Sequence, residues 1–129
     1  MIVSYFIRGE KHAAMAVTAI DSVRRVYPHA ELVITTDEKH PEWELPGIRE
    51  FIPAGMPIML ANLEAQFRVL CDAGTSRALF LDTDTLVCEA FPFDRSDLII
   101  TWRDHVAVAD GEKVEGVAQQ MPYNYGVIG

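Results

Sequence analysis

The sequence predicts an α/β fold in which a mainly parallel sheet is flanked by helices. Two observations carry this expectation. Short apolar runs rich in β-branched and aromatic residues alternate with longer segments whose apolar residues recur at helical spacing, in the order β-α-β-β-α-β. A length of 129 residues, half of them hydrophobic, suffices for one modest core and falls short of two. The whole chain, 1–129, is therefore expected to form a single domain.

The elements follow in order. Ile2–Ile7 reads as a buried strand, ended by the turn at Arg8 and Gly9. Over residues 12–27, Ala13, Ala16, Val17, Ile20, Val23 and Tyr27 keep helical spacing until Pro28 stops the helix. ELVITTDE (31–38) switches to a short apolar run capped by polar residues. IREFI (48–52) is a third strand beyond the loop HPEWELPG. Leu60, Leu63, Phe67, Leu70 and Cys71 line one face of a second helix, with Gly74 placed to cap its C-terminus. RALFLD (77–82) is the fourth strand, and DLIITW (97–102) and YNYGVIG (123–129) read as further ones, while GEKVEGVAQQ (111–120) is a helix or a loop. This order indicates a Rossmann-like architecture. The run that ends at Gly129 is apolar and strand-like, which reads as a domain cut short.

Composition narrows the function. Only 11 Lys and Arg face 19 Asp and Glu, a net charge of −8, which argues against a nucleic-acid partner and means that an anionic ligand needs a cation beside it. A mean hydropathy of +0.09 excludes a disordered acidic tail. Cys71 and Cys88 have neither metal-site spacing nor the density of a disulfide framework, so reduced thiols in a cytoplasmic protein are expected. MIVSYFIRGE has no cationic n-region and no small-residue cleavage site, and no apolar run approaches the ~20 residues of a membrane span. Trp43 and Trp102 have no aromatic partners at nucleic-acid-binding spacing and are expected at a core edge or along a cleft. The methionines are scattered core fillers, and no Gly-rich phosphate loop, Cys/His cluster or triad is visible.

The chemistry concentrates in LFLDTDTLV (79–87), where Asp82 and Asp84 follow an unbroken apolar run. Two carboxylates so close repel each other unless a metal, a shared proton or solvent intervenes. In parallel α/β sheets, ligands bind outside the carboxyl ends of the strands, where this pair is expected. At i and i+2 of an extended segment both side chains face one ion while Thr83 points away. Hard oxygen ligands suit Mg²⁺ or Mn²⁺, which take substrate phosphates as further ligands, so a metal-bridged diphosphate is the natural inference. Asp-x-Asp also occurs in solvated turns. The stretch is similar, too, to the first motif of haloacid dehalogenase-like phosphatases, with Asp82 as nucleophile, Asp84 as general acid/base and Thr101 in place of their second motif. Against that, about 80 residues precede a motif that this family keeps near its N-terminus, and nothing after it supplies both a clear lysine motif and a Gly-Asp-rich acidic motif, Lys113 being the sole lysine downstream.

From about Met59 onward the chain resembles the nucleotide-diphospho-sugar transferases of the GT-A fold, especially glycosyltransferase family 8 and its glycogenin-like relatives. NLEAQFRVLCDAGTSRALFLDTDTLVCEAF, DLIITWRDH and YNYGVIG carry the resemblance in the family's order, while residues 1–58 add only the element order. The resemblance implies that Asp82 and Asp84 hold Mn²⁺ (or Mg²⁺) against the diphosphate of a donor, UDP-sugar above all. It implies that Thr83 lies beside the ribose, that Asn124 and Gly126 lie near the donor sugar and the acceptor, and that Ile7 and Arg8 face the base. The acceptor, whether sugar, lipid or protein, stays open, as do the general base and the stereochemical outcome. Two departures stand out. Where the family's helix before the motif carries a Lys or Arg, this chain has Asn62 or a neighbour, with Arg68 further along. The family's third metal ligand, a C-terminal histidine, has no counterpart, and His105 is more simply a surface residue. The expected function is a metal-dependent glycosyltransferase, with a phosphatase or a non-catalytic nucleotide-sugar-binding fragment as alternatives.

Overall fold

The computed structural model describes residues 1–36, 43, 45–72, 77–90, 100–102, 107–109, 112–114 and 123–128, from residue 100 onward as backbone alone. The first six elements are β1 (Ile2–Ile7), α1 (Glu10–Val26), β2 (Glu31–Thr36), β3 (Ile48–Phe51), α2 (Ile58–Asp72) and β4 (Ala78–Leu81), in the order that the sequence predicts. β5 (Ile100–Trp102), β6 (Ala107–Ala109), β7 (Glu112–Val114) and β8 (Tyr123–Ile128) follow. β7 places a strand inside the stretch expected as helix or loop, where it pairs with β6 in a two-stranded antiparallel sheet. Gly74, the expected C-cap of α2, lies outside the described residues, as does His105.

The main sheet runs β3-β2-β1-β4-β8-β5. β1 pairs in parallel with β2 on one side and β4 on the other, and β2 with β3, so the first four strands form a parallel sheet. β8 runs antiparallel to both β4 and β5. The chain is thus an α/β fold whose parallel part is built from its first 81 residues.

Strand alternation sorts the core into two layers. Val3, Tyr5 and Ile7 of β1, Leu32 and Ile34 of β2, and Leu79 and Leu81 of β4 face α1, where Ala13, Ala16, Ala19, Ile20 and Val23 meet them. Ile2, Val33 and Phe80 face the other way and pack with Val69 of α2. Each fully buried Val, Ile or Leu stabilises the fold by roughly 1.5–3 kcal/mol relative to exposure. Three alanines on α1 let that helix approach the sheet closely.

α2 corrects one expectation. The stripe of large apolar residues shares a face, and that face looks outward: Leu60, Leu63, Phe67 and Leu70 are 55%, 56%, 62% and 61% exposed, and Cys71 is exposed as well. Ala61, Ala65 and Val69, spaced by four, are the residues buried against the sheet. The small side chains allow a close approach that Leu or Phe would prevent. Arg68 then ties the helix to β3, its Nη1 donating to the Phe51 carbonyl at 3.0 Å while its Nε donates to Glu64 at 2.8 Å. Among the described residues no helix is long and apolar enough to cross a membrane.

Candidate functional site

The strand order turns back on itself between β1 and β4, since β2 and β3 lie to one side of β1 and β4 to the other. Helices leaving neighbouring strands toward opposite faces open a crevice at such a point, outside the carboxyl ends of the strands. A cleft of about 250 Å³ lies there, lined by Phe6, Arg8, His12, Ile58, Met59, Asn62, Asp82, Thr83 and Asp84.

One wall comes from the end of β1. Gly9 adopts φ 85°, a left-handed conformation that other residues avoid, and this turns the chain sharply from strand into helix. The Gly9 carbonyl accepts the first helical hydrogen bond, from Ala13 N–H at 3.1 Å, which sets His12 in the first turn of α1 above the cleft. Arg8 reaches across: its Nη2 donates to the Met56 carbonyl at 2.8 Å, and its guanidinium carbon lies 5.8 Å from the centre of the Phe6 ring. Ile7, expected to face a nucleotide base, is instead fully buried in the layer beneath α1, because alternation along β1 aims it with Val3 and Tyr5.

The opposite wall is the acidic segment after β4. The Thr85 N–H donates to the Asp82 carbonyl at 3.0 Å, so residues 82–85 form a closed turn rather than the extended segment that the spacing predicts. The sidedness survives this change. Asp82 and Asp84 are exposed and both line the cleft, while Thr83 is buried between them. Thr83 Oγ1 is hydrogen-bonded to His12 Nδ1 at 3.1 Å. Further on, Val87 N–H donates to Ser22 Oγ at 2.9 Å, and that hydroxyl donates in turn to the Ala19 carbonyl at 2.6 Å.

Partial loss of solvent on the cleft side of the otherwise exposed Asp82, and secondly the charge of Asp84, raise the pKa of its carboxyl, and His12 partly offsets them. The pair is therefore held together at an electrostatic cost that a cation between the carboxylates would relieve. Among the described residues no group of three or more His, Cys, Asp or Glu is arranged to hold a metal. Two carboxylates nonetheless fit a hard divalent ion, which ordinarily completes its shell with water and substrate phosphates.

The remaining expected residues fall as follows. Asn62 lines the cleft. Asn124 and Gly126 belong to β8, whose pairing of Val127 with Leu81 carries both residues past the carboxyl end of β4, the same end as the aspartates. Trp43 packs half-buried against the α1-side core, at a core edge as expected. Trp102 and Thr101 lie on β5, paired with Tyr123 and Asn124, and Lys113 lies on β7. Four lining residues escaped sequence reasoning, namely Phe6, His12, Ile58 and Met59. The signal that could have found His12 was its position in the first helical turn after a strand-glycine turn, where helix starts gather ligands. No protein-family model, curated protein or solved structure matches this chain.

Proposed function

We propose that the cleft binds a nucleotide-diphosphate sugar through a divalent metal, and that the chain forms the Rossmann-like, nucleotide-binding part of a GT-A glycosyltransferase similar to glycosyltransferase family 8. One observation supports this reading most: Asp82 and Asp84 open into the same cleft as Arg8, at the strand ends where the order of a parallel sheet turns back. In this reading the two carboxylates hold Mn²⁺ or Mg²⁺. Once bound, the ion neutralises charge that builds on a diphosphate leaving group. Arg8, braced by the Met56 carbonyl, offers a fixed cation to the donor nucleotide from the opposite wall. Phe6, Ile58 and Met59 supply an apolar surface suited to a planar base, and Asn62 an amide for hydrogen bonding. Asn124 and Gly126 fit a place near the sugar and its acceptor, which is a sugar, lipid or protein. Two exposed free thiols, Cys71 and Cys88, favour a reducing, cytoplasmic setting.

Calorimetric titration of UDP and GDP with and without Mn²⁺, on the wild-type chain and on Asp82→Ala and Asp84→Ala, tests the proposal. Metal-dependent binding of one nucleotide, lost in both variants, is the expected result. Absence of any metal-dependent binding would sink it. A phosphoryl group trapped on Asp82 would instead assign a haloacid dehalogenase-like phosphatase, and binding without sugar transfer a non-catalytic module.

A further inference from the structure

We infer that His12 and Ser22 are positioning residues for the acidic turn: α1 clamps the loop after β4 at two points and so fixes Asp82 and Asp84 before any ligand arrives. The metal role of the two aspartates rests on the function proposed above; the clamp itself rests on the hydrogen bonds.

The loop over residues 82–90 has no regular secondary structure, and its own closing bond is the one from Thr85 N–H to the Asp82 carbonyl. Among the described residues two side-chain ties from outside reach it, and both come from α1. His12 holds Thr83 at 3.1 Å across 71 positions of sequence, and Ser22 holds the Val87 N–H at 2.9 Å across 65. Their spacing leaves little slack. Ten residues of helix separate His12 from Ser22, a rise of about 15 Å. The four steps from Thr83 to Val87 span about 14 Å at full stretch, and the turn at residues 82–85 shortens that reach, so the side chains of His12 and Ser22 make up the difference.

The Ser22 tie is buried and the His12 tie partly so. Thr83, Ser22 and Val87 are all buried, and the Ser22 hydroxyl uses its donor on the Ala19 carbonyl while accepting from Val87, which fixes its orientation. Two neighbouring carboxylates repel and would splay an untethered turn. A clamp of this kind places the cost of gathering them in folding, so that a cation meets a site already formed.

The test uses the whole chain and Mn²⁺ alone as probe, with free Mn²⁺ followed by electron paramagnetic resonance and amide exchange read at Thr85 and Val87. His12→Leu and Thr83→Val remove one tie; His12→Asn, whose amide reaches the Nδ1 position, and Thr83→Ser keep it. Loss of the tie is expected to weaken Mn²⁺ binding about five- to tenfold. The double variant should bind no worse than either single one, and the conservative variants should restore affinity, with thermal midpoints recorded for all. Ser22→Ala should speed exchange at Val87 about tenfold while leaving Thr85 less affected. Wild-type affinity in His12→Leu and Thr83→Val would overturn the positioning role. If the wild type shows no Mn²⁺ binding that Asp82→Asn removes, the metal reading of the cleft falls instead. Exchange at Thr85 then decides the clamp, which stands if His12→Leu accelerates it and is refuted if the rate is unchanged.

Discussion

Tyr5 lies at the centre of β1 with no exposed surface, and its phenol oxygen is buried without a hydrogen-bond partner among the described residues. A buried hydroxyl left unmatched costs about 1–3 kcal/mol, whereas the ring around it packs as any core aromatic does. Tyr5→Phe removes the hydroxyl and keeps the ring, so it is expected to raise stability by about 1 kcal/mol at neutral pH, the lower end because neighbours relax around the site. In a domain of this size that moves the thermal midpoint by roughly 3–5 °C. The pH dependence gives the second arm. Burial holds the phenol proton well above its ordinary range. Above about pH 10 the unfolded chain has released that proton and the folded chain has not, so stability falls as pH rises, by up to about 1.4 kcal/mol per unit from this group. Below about pH 10 both states keep the proton and the contribution is flat. Urea unfolding of wild type and Tyr5→Phe at about pH 7, 9 and 11 measures both effects. The gap between the two chains should widen in favour of the variant only above about pH 10. A variant less stable than wild type at neutral pH would mean that the hydroxyl holds a partner after all, and parallel pH profiles would mean that the phenol proton is not retained.

Three further expectations concern the site and its supports. Gly9→Ala forces a side chain onto a residue at φ 85° and should cost about 1–2 kcal/mol, read as a lower thermal midpoint, even though its added Cβ meets nothing within 4 Å. On α2, Leu63→Ala and Phe67→Ala should change stability by less than about 0.5 kcal/mol, while Ala65→Leu should cost about 1–3 kcal/mol by overpacking against the sheet; the reverse order in urea unfolding would put the Leu face inward. Asp82→Asn removes a carboxylate that burial and Asp84 disfavour, so the metal-free variant should melt higher than wild type. Mn²⁺ at about ten times its Kd should stabilise wild type by about 1.4 kcal/mol and leave the variant unmoved.

What was legible in the sequence follows from which forces act locally. The first six elements could be read because period and punctuation are local: IVSYFI and ALFL are continuous apolar runs, and Pro28 ends a helical pattern. The placing of Asp82 and Asp84 beside a cleft at the end of β4 could likewise be read, because crevices in an α/β order open outside the carboxyl ends of the strands. The outward face of α2 could not be read from hydropathy, which ranks Leu above Ala and so points to Leu60, Leu63, Phe67 and Leu70. Close packing on a sheet selects the smaller Ala61 and Ala65 instead. The pairing of His12 could not be read for a different reason: its partner Thr83 stands 71 residues away, and the pairing of β1 with β4 brings the two together. Ile7 was legible and misread. Its parity with Val3 and Tyr5 consigns it to the core layer, while Arg8 next to it turns into the cleft.

The charge balance of the cleft ties the proposed metal to the proposed ligand. Its lining carries the two carboxylates of Asp82 and Asp84 against the one guanidinium of Arg8, so with His12 neutral it is negative, inside a protein that is itself acidic. A diphosphate entering that cleft alone meets repulsion from the nearest charges and, among the described residues, the one guanidinium of Arg8 in return. A bound divalent ion reverses the sign of the lining, and the same wall then attracts what it had repelled. Binding of the two must therefore be coupled. Whatever factor the ion adds to nucleotide affinity, the nucleotide adds to ion affinity, since linkage is reciprocal. Mn²⁺ binding measured alone should accordingly be weak and should tighten in the presence of UDP or GDP, and equal Mn²⁺ affinity with and without nucleotide would separate the two sites that this reading joins.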